Sequence, residues 1–266
     1  MCGRYAASAD PDDLMEAFEI DHNAMAEPTR SLLVKPQQPP PGQPDFNVAP
    51  SKAVPIVLER QAGERQLRPL TWGLVPSWSE DPRSGVRMIN ARAETVLSKP
   101  AYSKAARSRR CLVPATGWYE WQVSPTATGA KGKPRKQPFF MRRADELPLA
   151  MAGIYEFWKE SDAPSSQWLV TFAIITTAAE PGLDRIHDRQ PVVLDADRWQ
   201  PWLDPAMDDP DEVEALLRGP DHGRFSTWPV SPAVNAVANN APELMKAIPM
   251  EDLVGVVDPS SGELLG

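Results

Sequence analysis

Cys2 stands directly behind the initiator Met1. A small second residue lets the initiator be trimmed, and the mature chain then begins with a free α-amine and a thiol on adjacent carbons. Their ordinary pKa values, about 7.7–8.0 and about 8.5, leave a useful fraction of each nucleophilic near neutral pH. A 1,2-aminothiol of this kind meets an aldehyde first as an imine. The sulfur then closes a five-membered thiazolidine, which hydrolyses far less readily than the imine alone. No internal cysteine can do this. The competing explanation for Cys2 taken alone is a small apolar residue buried in an N-terminal strand, a common fate of free cysteine.

Four further stretches hold residue types that could serve such a nucleophile. In Gly117-Trp-Tyr-Glu-Trp121 a carboxylate lies between aromatics. Apolar walls disfavour its charged form and lift its pKa toward neutrality, which makes Glu120 the candidate general acid/base. The alternative is a surface carboxylate on an alternating strand, where Trp118, Glu120 and Gln122 share a face. In Asn90-Ala-Arg-Ala-Glu-Thr95, an extended backbone would put Asn90, Arg92 and Glu94 on one side, with Arg92 able to grip a phosphate through two donors; a capped helix start at Glu94 or Thr95 is the competing reading. Trp72-Gly-Leu-Val-Pro-Ser-Trp78 brackets a Gly/Pro turn with two indoles that could stack on bases, although at least one of them is expected to fill core. Ile186-His-Asp-Arg-Gln-Pro191 holds the one histidine flanked by charge, a possible proton shuttle. His22 and His222 read as structural, and no His/Cys/carboxylate spacing suggests a metal.

The elements that must position these residues are mostly strands. The chain has 266 residues, 42% apolar, with nine Trp and 30 Pro against 15 Gly. That composition favours short strands and rigid loops over long helices and fits a single α+β domain spanning 1–266. Strands are expected at Val54–Glu59, Gln66–Trp72, Cys111–Pro114, Gly117–Gln122, Pro138–Arg142, Leu149–Phe157 and Gln167–Thr177. A first helix should be capped by Asp10, with Pro11 in its first turn, and end near Glu19. Others are expected at Pro100–Arg107, Asp197–Leu203 and Pro210–Arg218, the last stopped by Gly219-Pro220. A Pro-rich loop fills 28–44, a basic excursion without apolar periodicity fills 123–137, and 195–266 is the acidic part.

Net charge is −8, awkward for a nucleic-acid binder, but the charges segregate. Residues 99–110 carry five basic groups and 131–143 six, neither run with an acid, whereas 195–214 holds eight acids against one Arg. One positive face on an acidic protein is therefore possible, the competing view being ordinary solvated charge. Two cysteines are too few for a disulfide framework and fit free thiols in a reducing compartment. With no 18-residue apolar run and no secretion signal, the expectation is a cytoplasmic protein without a membrane partner.

In order along the chain, Met1-Cys-Gly-Arg-Tyr5, Phe46-Asn-Val-Ala-Pro50, Trp72-Gly-Leu-Val-Pro76, Asn90-Ala-Arg-Ala-Glu-Thr95, Cys111-Leu-Val-Pro114, Gly117-Trp-Tyr-Glu-Trp121, Ala152-Gly-Ile-Tyr155, Ile175-Thr-Thr177 and Ile186-His-Asp-Arg-Gln-Pro191 resemble the SRAP family. These are the SOS-response-associated-peptidase, or abasic-site processing, proteins. The resemblance implies a curved, barrel-like mixed sheet with flanking short helices and a basic groove leading to Cys2. It implies a monomer, nucleoid-associated when bound, that captures abasic sites in single-stranded DNA as a thiazolidine without a cofactor, with possible lyase and autoproteolytic activity. By position, Cys2 is the nucleophile, Asn90 holds it and the sugar, Glu120 moves protons, and His187 assists ring opening and reversal. Arg4 and Arg92 contact flanking phosphates, Trp72 stacks or wedges bases, and Asn47 and Thr176 lie beside the site. The chain departs from the family pattern in the Pro-rich insert at 35–44, the basic excursion at 126–137, Gln190 and the acidic tail. Two rivals stay open: an N-terminal-nucleophile cysteine amidohydrolase, which needs no basic groove, and a non-covalent single-strand-binding module in which Cys2 is structural.

Overall fold

The computed structural model describes residues 2–33, 35–60, 63–160, 167–218 and 223–265. Its elements are, in chain order, β1 (Arg4–Ala7), α1 (Pro11–Ala17), β2 (His22–Asn23), β3 (Asp45–Val48), β4 (Ala53–Glu59), β5 (Arg65–Trp72), β6 (Asn90–Arg92), α2 (Ser103–Ser108), β7 (Arg110–Ala115), β8 (Gly117–Thr128), β9 (Pro134–Arg143), β10 (Leu149–Trp158), β11 (Leu169–Ala178), β12 (Arg189–Pro191), α3 (Ala196–Leu203), α4 (Pro210–Leu217), β13 (Phe225–Pro229), β14 (Val256–Val257) and β15 (Leu264–Leu265). His222 and the stop signal Gly219-Pro220 lie outside the described residues.

Five strands close into a barrel in the order β4, β5, β11, β10, β7 and back to β4. Every pairing is antiparallel except β5 with β11, where Thr71 and Trp72 lie opposite Thr171 and Phe172. The strands are apolar on both faces because both are covered. Val54, Ile56, Leu58, Val113, Met151 and Ile174 belong to the inner cluster. Val57, Leu112, Ala150, Ala152 and Ile175 belong to an outer one, which includes Leu14 of α1, Ala105 and Ala106 of α2, Trp202 of α3 and Val213 of α4. Asp10 caps α1 and Asp209 caps α4 through their carboxylates, as their positions ahead of Pro11 and Pro210 suggest. Among the described residues no helix is long and apolar enough to cross a membrane.

A second sheet, ordered β13, β9, β8, β1, β3, lays Tyr5, Trp118, Phe139 and Met141 against the barrel's inner cluster. Strand β11 ties the two halves of the site together by changing partners along its length. Its first part lies between β10 and β5, its last part between β12 and β6. Gly73, at φ 121°, lets the chain leave β5 so close to Gly85 that a Cβ at 73 would fall 2.6 Å from the Gly85 carbonyl oxygen. That crossing brings the backbone round to β6.

Candidate active site

β1 runs antiparallel to β8 with Arg4 opposite Tyr119 and Tyr5 opposite Trp118. Continuing that register brings positions 2 and 3 alongside 121 and 120. Cys2 has no exposed surface, and burial, followed by the nearby Glu120 charge, pushes its thiol well above the usual range. The resting sulfur is therefore a thiol, not the partly ionised group expected from an unperturbed cysteine. Cys2 thus lies in the core, as the competing explanation has it, and in this chain its nitrogen is a peptide nitrogen joined to Met1.

Glu120 is 3% exposed, on a strand face shared with buried Trp118 and Gln122. The surface-carboxylate alternative is thereby overturned. Burial raises the Glu120 pKa to about 7, where a carboxyl both gives and accepts protons at neutral pH. Glu120 and His187 line one narrow cleft together with Trp118, Met141, Ile186 and Gln190. The His187 Nδ1 lies 3.1 Å from the Arg189 backbone N–H and 3.0 Å from the Asp188 Oδ1 carboxylate oxygen. Burial lowers the His187 pKa below its ordinary 6.5, so the ring is neutral at pH 7.

Asn90 closes the constellation from the barrel side. Its Nδ2 donates to the Cys2 carbonyl at 2.8 Å, and its Oδ1 is buried without a partner among the described residues. The strand holding it is fixed by pairing with β11, by the Trp72 indole donating to Ile89 O at 2.9 Å and by the Tyr102 hydroxyl donating to Asn90 O at 3.2 Å. Glu94 does not share the Asn90 face. It sits in a 3-10 turn and takes a two-point ion pair from Arg189, at 2.7 and 2.9 Å, while Arg189 also donates to Thr176 O. This clasp joins the Asn90 segment to the His187 segment. Both residues lie inside the stretches singled out from sequence, but nothing in their spacing pairs them.

The remaining expected site residues divide. Arg92 is exposed, as a phosphate contact requires. Arg4 is half-buried, donating to Asn47 Oδ1 at 2.6 Å and Val234 O at 2.8 Å, with its guanidinium 5.9 Å from the Trp121 ring centre. Asn47 is fully buried and spends its amide on the carbonyls of Val234, Ala236 and Asn239, so it fastens that segment to β3. Thr176 is buried, its hydroxyl 3.5 Å from Ala91 O. Trp72 is fully buried between Tyr5 and Phe172, and Trp78, 68% exposed, is the member of the pair that presents its surface. The basic run at 99–110 is not one positive face. Arg110 is buried and donates to five carbonyls, and Arg109 pairs with Glu156 at 2.7 Å.

Fold and site together describe a mixed β-barrel protein in which Cys2, Asn90 and Glu120 come together between the barrel and the second sheet. The chain belongs to the SRAP family, whose model, SOS response associated peptidase, matches residues 1–237. It is 36% identical over 249 residues to the abasic site processing protein YoqW of Bacillus subtilis, covering 93% of this chain and 100% of that protein. YedK of Escherichia coli, named likewise, is 32% identical, covering 93% and 100%. HMCES of Rattus norvegicus, again an abasic site processing protein, is 29% identical, covering 92% of this chain and 75% of that one. Among solved structures, a Bacteroides thetaiotaomicron protein shares the fold at TM-score 0.73 and 24% identity, covering 93% and 100%. A phage-related protein of Bordetella bronchiseptica superposes at TM-score 0.61 with 29% identity, covering 86% and 94%.

Proposed function

We propose that this protein, once Met1 is removed, captures abasic sites in single-stranded DNA by forming a thiazolidine between Cys2 and the ring-opened deoxyribose. The observation that carries this reading is the meeting of Asn90, Glu120 and Cys2 at one point, with His187 in the same cleft as Glu120. The names of the related proteins support the lesion. An abasic sugar equilibrates with an aldehyde, the electrophile that a 1,2-aminothiol captures best, and a single strand avoids the cost of unpairing a duplex.

The chemistry balances without a cofactor. The free amine attacks the aldehyde carbon, and the carbinolamine loses water to give the imine, with Glu120 supplying the proton that leaves with the hydroxyl. The sulfur then adds to the imine carbon, and the thiol proton ends on the ring nitrogen. Glu120, at a pKa of about 7, is suited to relay both protons. This order also accommodates the buried sulfur, because the amine acts first and the thiol has only to give up its proton inside the assembled site. In this reading Asn90 Oδ1 accepts from the amine or a sugar hydroxyl, and His187 donates to the ring oxygen during opening and reversal. The same imine gives a route to a β-elimination side activity. Self-release of Met1 is the autoproteolytic activity compatible with this site.

The test is a denaturing gel of Met1-free protein incubated with an abasic single strand. A slower band that persists without a reducing agent is expected, and it should vanish with Cys2→Ala. Absence of that band in the wild type would refute the reading and leave amide hydrolysis or non-covalent binding.

A further inference from the structure

The strand that carries Glu120 does not stop at the site. β8 continues to Thr128 and β9 returns from Pro134, so a two-stranded arm projects from the sheet with residues 129–133 at its tip. From Trp121 to Arg143 there is no acidic residue, while Lys131 and Lys133 stand at the tip of the arm and Arg135 and Lys136 on its returning strand, Lys136 at the base. The three lysines are exposed and Arg135 is half-buried. Among the described residues none of these four forms an ion pair, unlike Arg109, Arg143 and Arg189, which are neutralised by Glu156, Asp145 and Glu94. Clustered like charges repel one another, and a polyanion laid along them relieves that repulsion.

The arm is braced at its base. Gln122 donates to Val257 O at 2.8 Å and to Arg185 O at 3.1 Å, and accepts from Val257 N at 2.7 Å. Gly255 packs so tightly there that a Cβ would fall 2.5 Å from Ser124 Oγ. Lys136 lies opposite Val123, three residues along β8 from Glu120, so the arm's charge begins beside the cleft. At a rise of about 3.3 Å per residue, Thr128 lies at most about 26 Å from Glu120 along the strand.

We infer that the arm at 123–137 is a second contact for DNA, gripping backbone phosphates of the strand that flanks the captured sugar. This rests on the function proposed above. The chemistry recognised is the phosphodiester, from a single-stranded or a duplex flank. At about 3.4 Å per base pair, a duplex flank would need about seven or eight pairs to reach the tip.

The experiment measures reversible binding with a tetrahydrofuran abasic analogue, which cannot open to an aldehyde, so the result is independent of capture chemistry. The full chain and the variant Lys131→Gln/Lys133→Gln/Arg135→Gln/Lys136→Gln are compared on strands with 3 or 15 nucleotides on each side, and on the longer strand annealed to complements that leave the lesion unpaired. On the long strand the variant should bind about 10- to 100-fold more weakly. Its log–log salt slope should fall by about 3, since each lost phosphate contact removes about 0.7–0.9. On the short strand the loss should be much smaller, because only Lys136, at the base of the arm, lies within its reach. The tip pair Lys131→Gln/Lys133→Gln should give about half the change in slope, and matched thermal melts establish that the variants fold. A loss restricted to the annealed substrates identifies a duplex flank; a loss on both identifies the single strand. Equal binding of variant and wild type to every long substrate, or equal losses on long and short, would overturn the inference.

Discussion

Replacing Glu120 with Gln separates its effect on stability from its effect on chemistry, because burial drives both. Its pKa stands at about 7 in the folded chain against an ordinary 4.5. Between those values the folded state binds more protons than the unfolded one, so stability falls as pH rises. The loss integrates to about 0.8 kcal/mol at pH 5 and about 3.3 kcal/mol at pH 8. Gln carries no charge at either pH, so Glu120→Gln should gain stability over wild type on going from pH 5 to pH 8, by about 2.5 kcal/mol. Urea unfolding at the two pH values reads this directly. The same variant should slow thiazolidine formation by about 10²–10⁴-fold, the usual worth of a positioned acid/base. A stability difference that does not change with pH would refute the buried-acid assignment, and so would unimpaired capture.

Three further outcomes follow from other contacts. Trp72→Ala should cost about 3–5 kcal/mol in urea unfolding, because it empties a core site and releases Ile89 O; unchanged stability with lost DNA binding would restore the stacking role. Arg110→Ala should destabilise by about 3 kcal/mol or more, since buried carbonyls lose their donor, while the folded fraction binds DNA with the wild-type salt slope; a flattened slope would return Arg110 to the DNA-binding face. His187→Asn should change the reversal rate by the same factor at pH 7 and pH 8.5, because burial keeps the ring neutral across that range. An effect confined to acidic pH would make the imidazolium the working form.

Much of this architecture is written locally. The barrel strands found at Ala53–Glu59, Arg65–Trp72, Arg110–Ala115, Leu149–Trp158 and Leu169–Ala178 are the branched and aromatic runs, displaced from their expected limits by only one or two residues. Strands β2, β3, β12, β13, β14 and β15 have no counterpart in the sequence reading, and β1 and β6 appear there only as open alternatives, because each is short and its pairing is a tertiary effect that local propensity does not carry. The basic excursion forms the outer part of the β8–β9 hairpin, since cross-strand hydrogen bonds do not require apolar alternation once the base is anchored. In the site, Glu120 could be singled out because its neighbours are aromatic, and its burial followed. Asn47, Trp72 and Arg110 show the converse limit. A residue type suited to phosphate or base contact is equally suited to satisfying buried carbonyls or filling core, and only the three-dimensional surroundings distinguish the two. The Glu94–Arg189 clasp joins residues 95 positions apart, which no spacing rule pairs.

The central claim concerns the nitrogen and sulfur of Cys2 acting on one carbon, and intact mass spectrometry of the unreduced adduct tests it most directly. The expected mass is that of the chain without Met1, plus the abasic oligonucleotide, minus one water. Cys2→Ser should give that linkage only after borohydride trapping, because its imine cannot close to a thiazolidine. An adduct that retains Met1, or a Cys2→Ser adduct equally stable without borohydride, would contradict the claim.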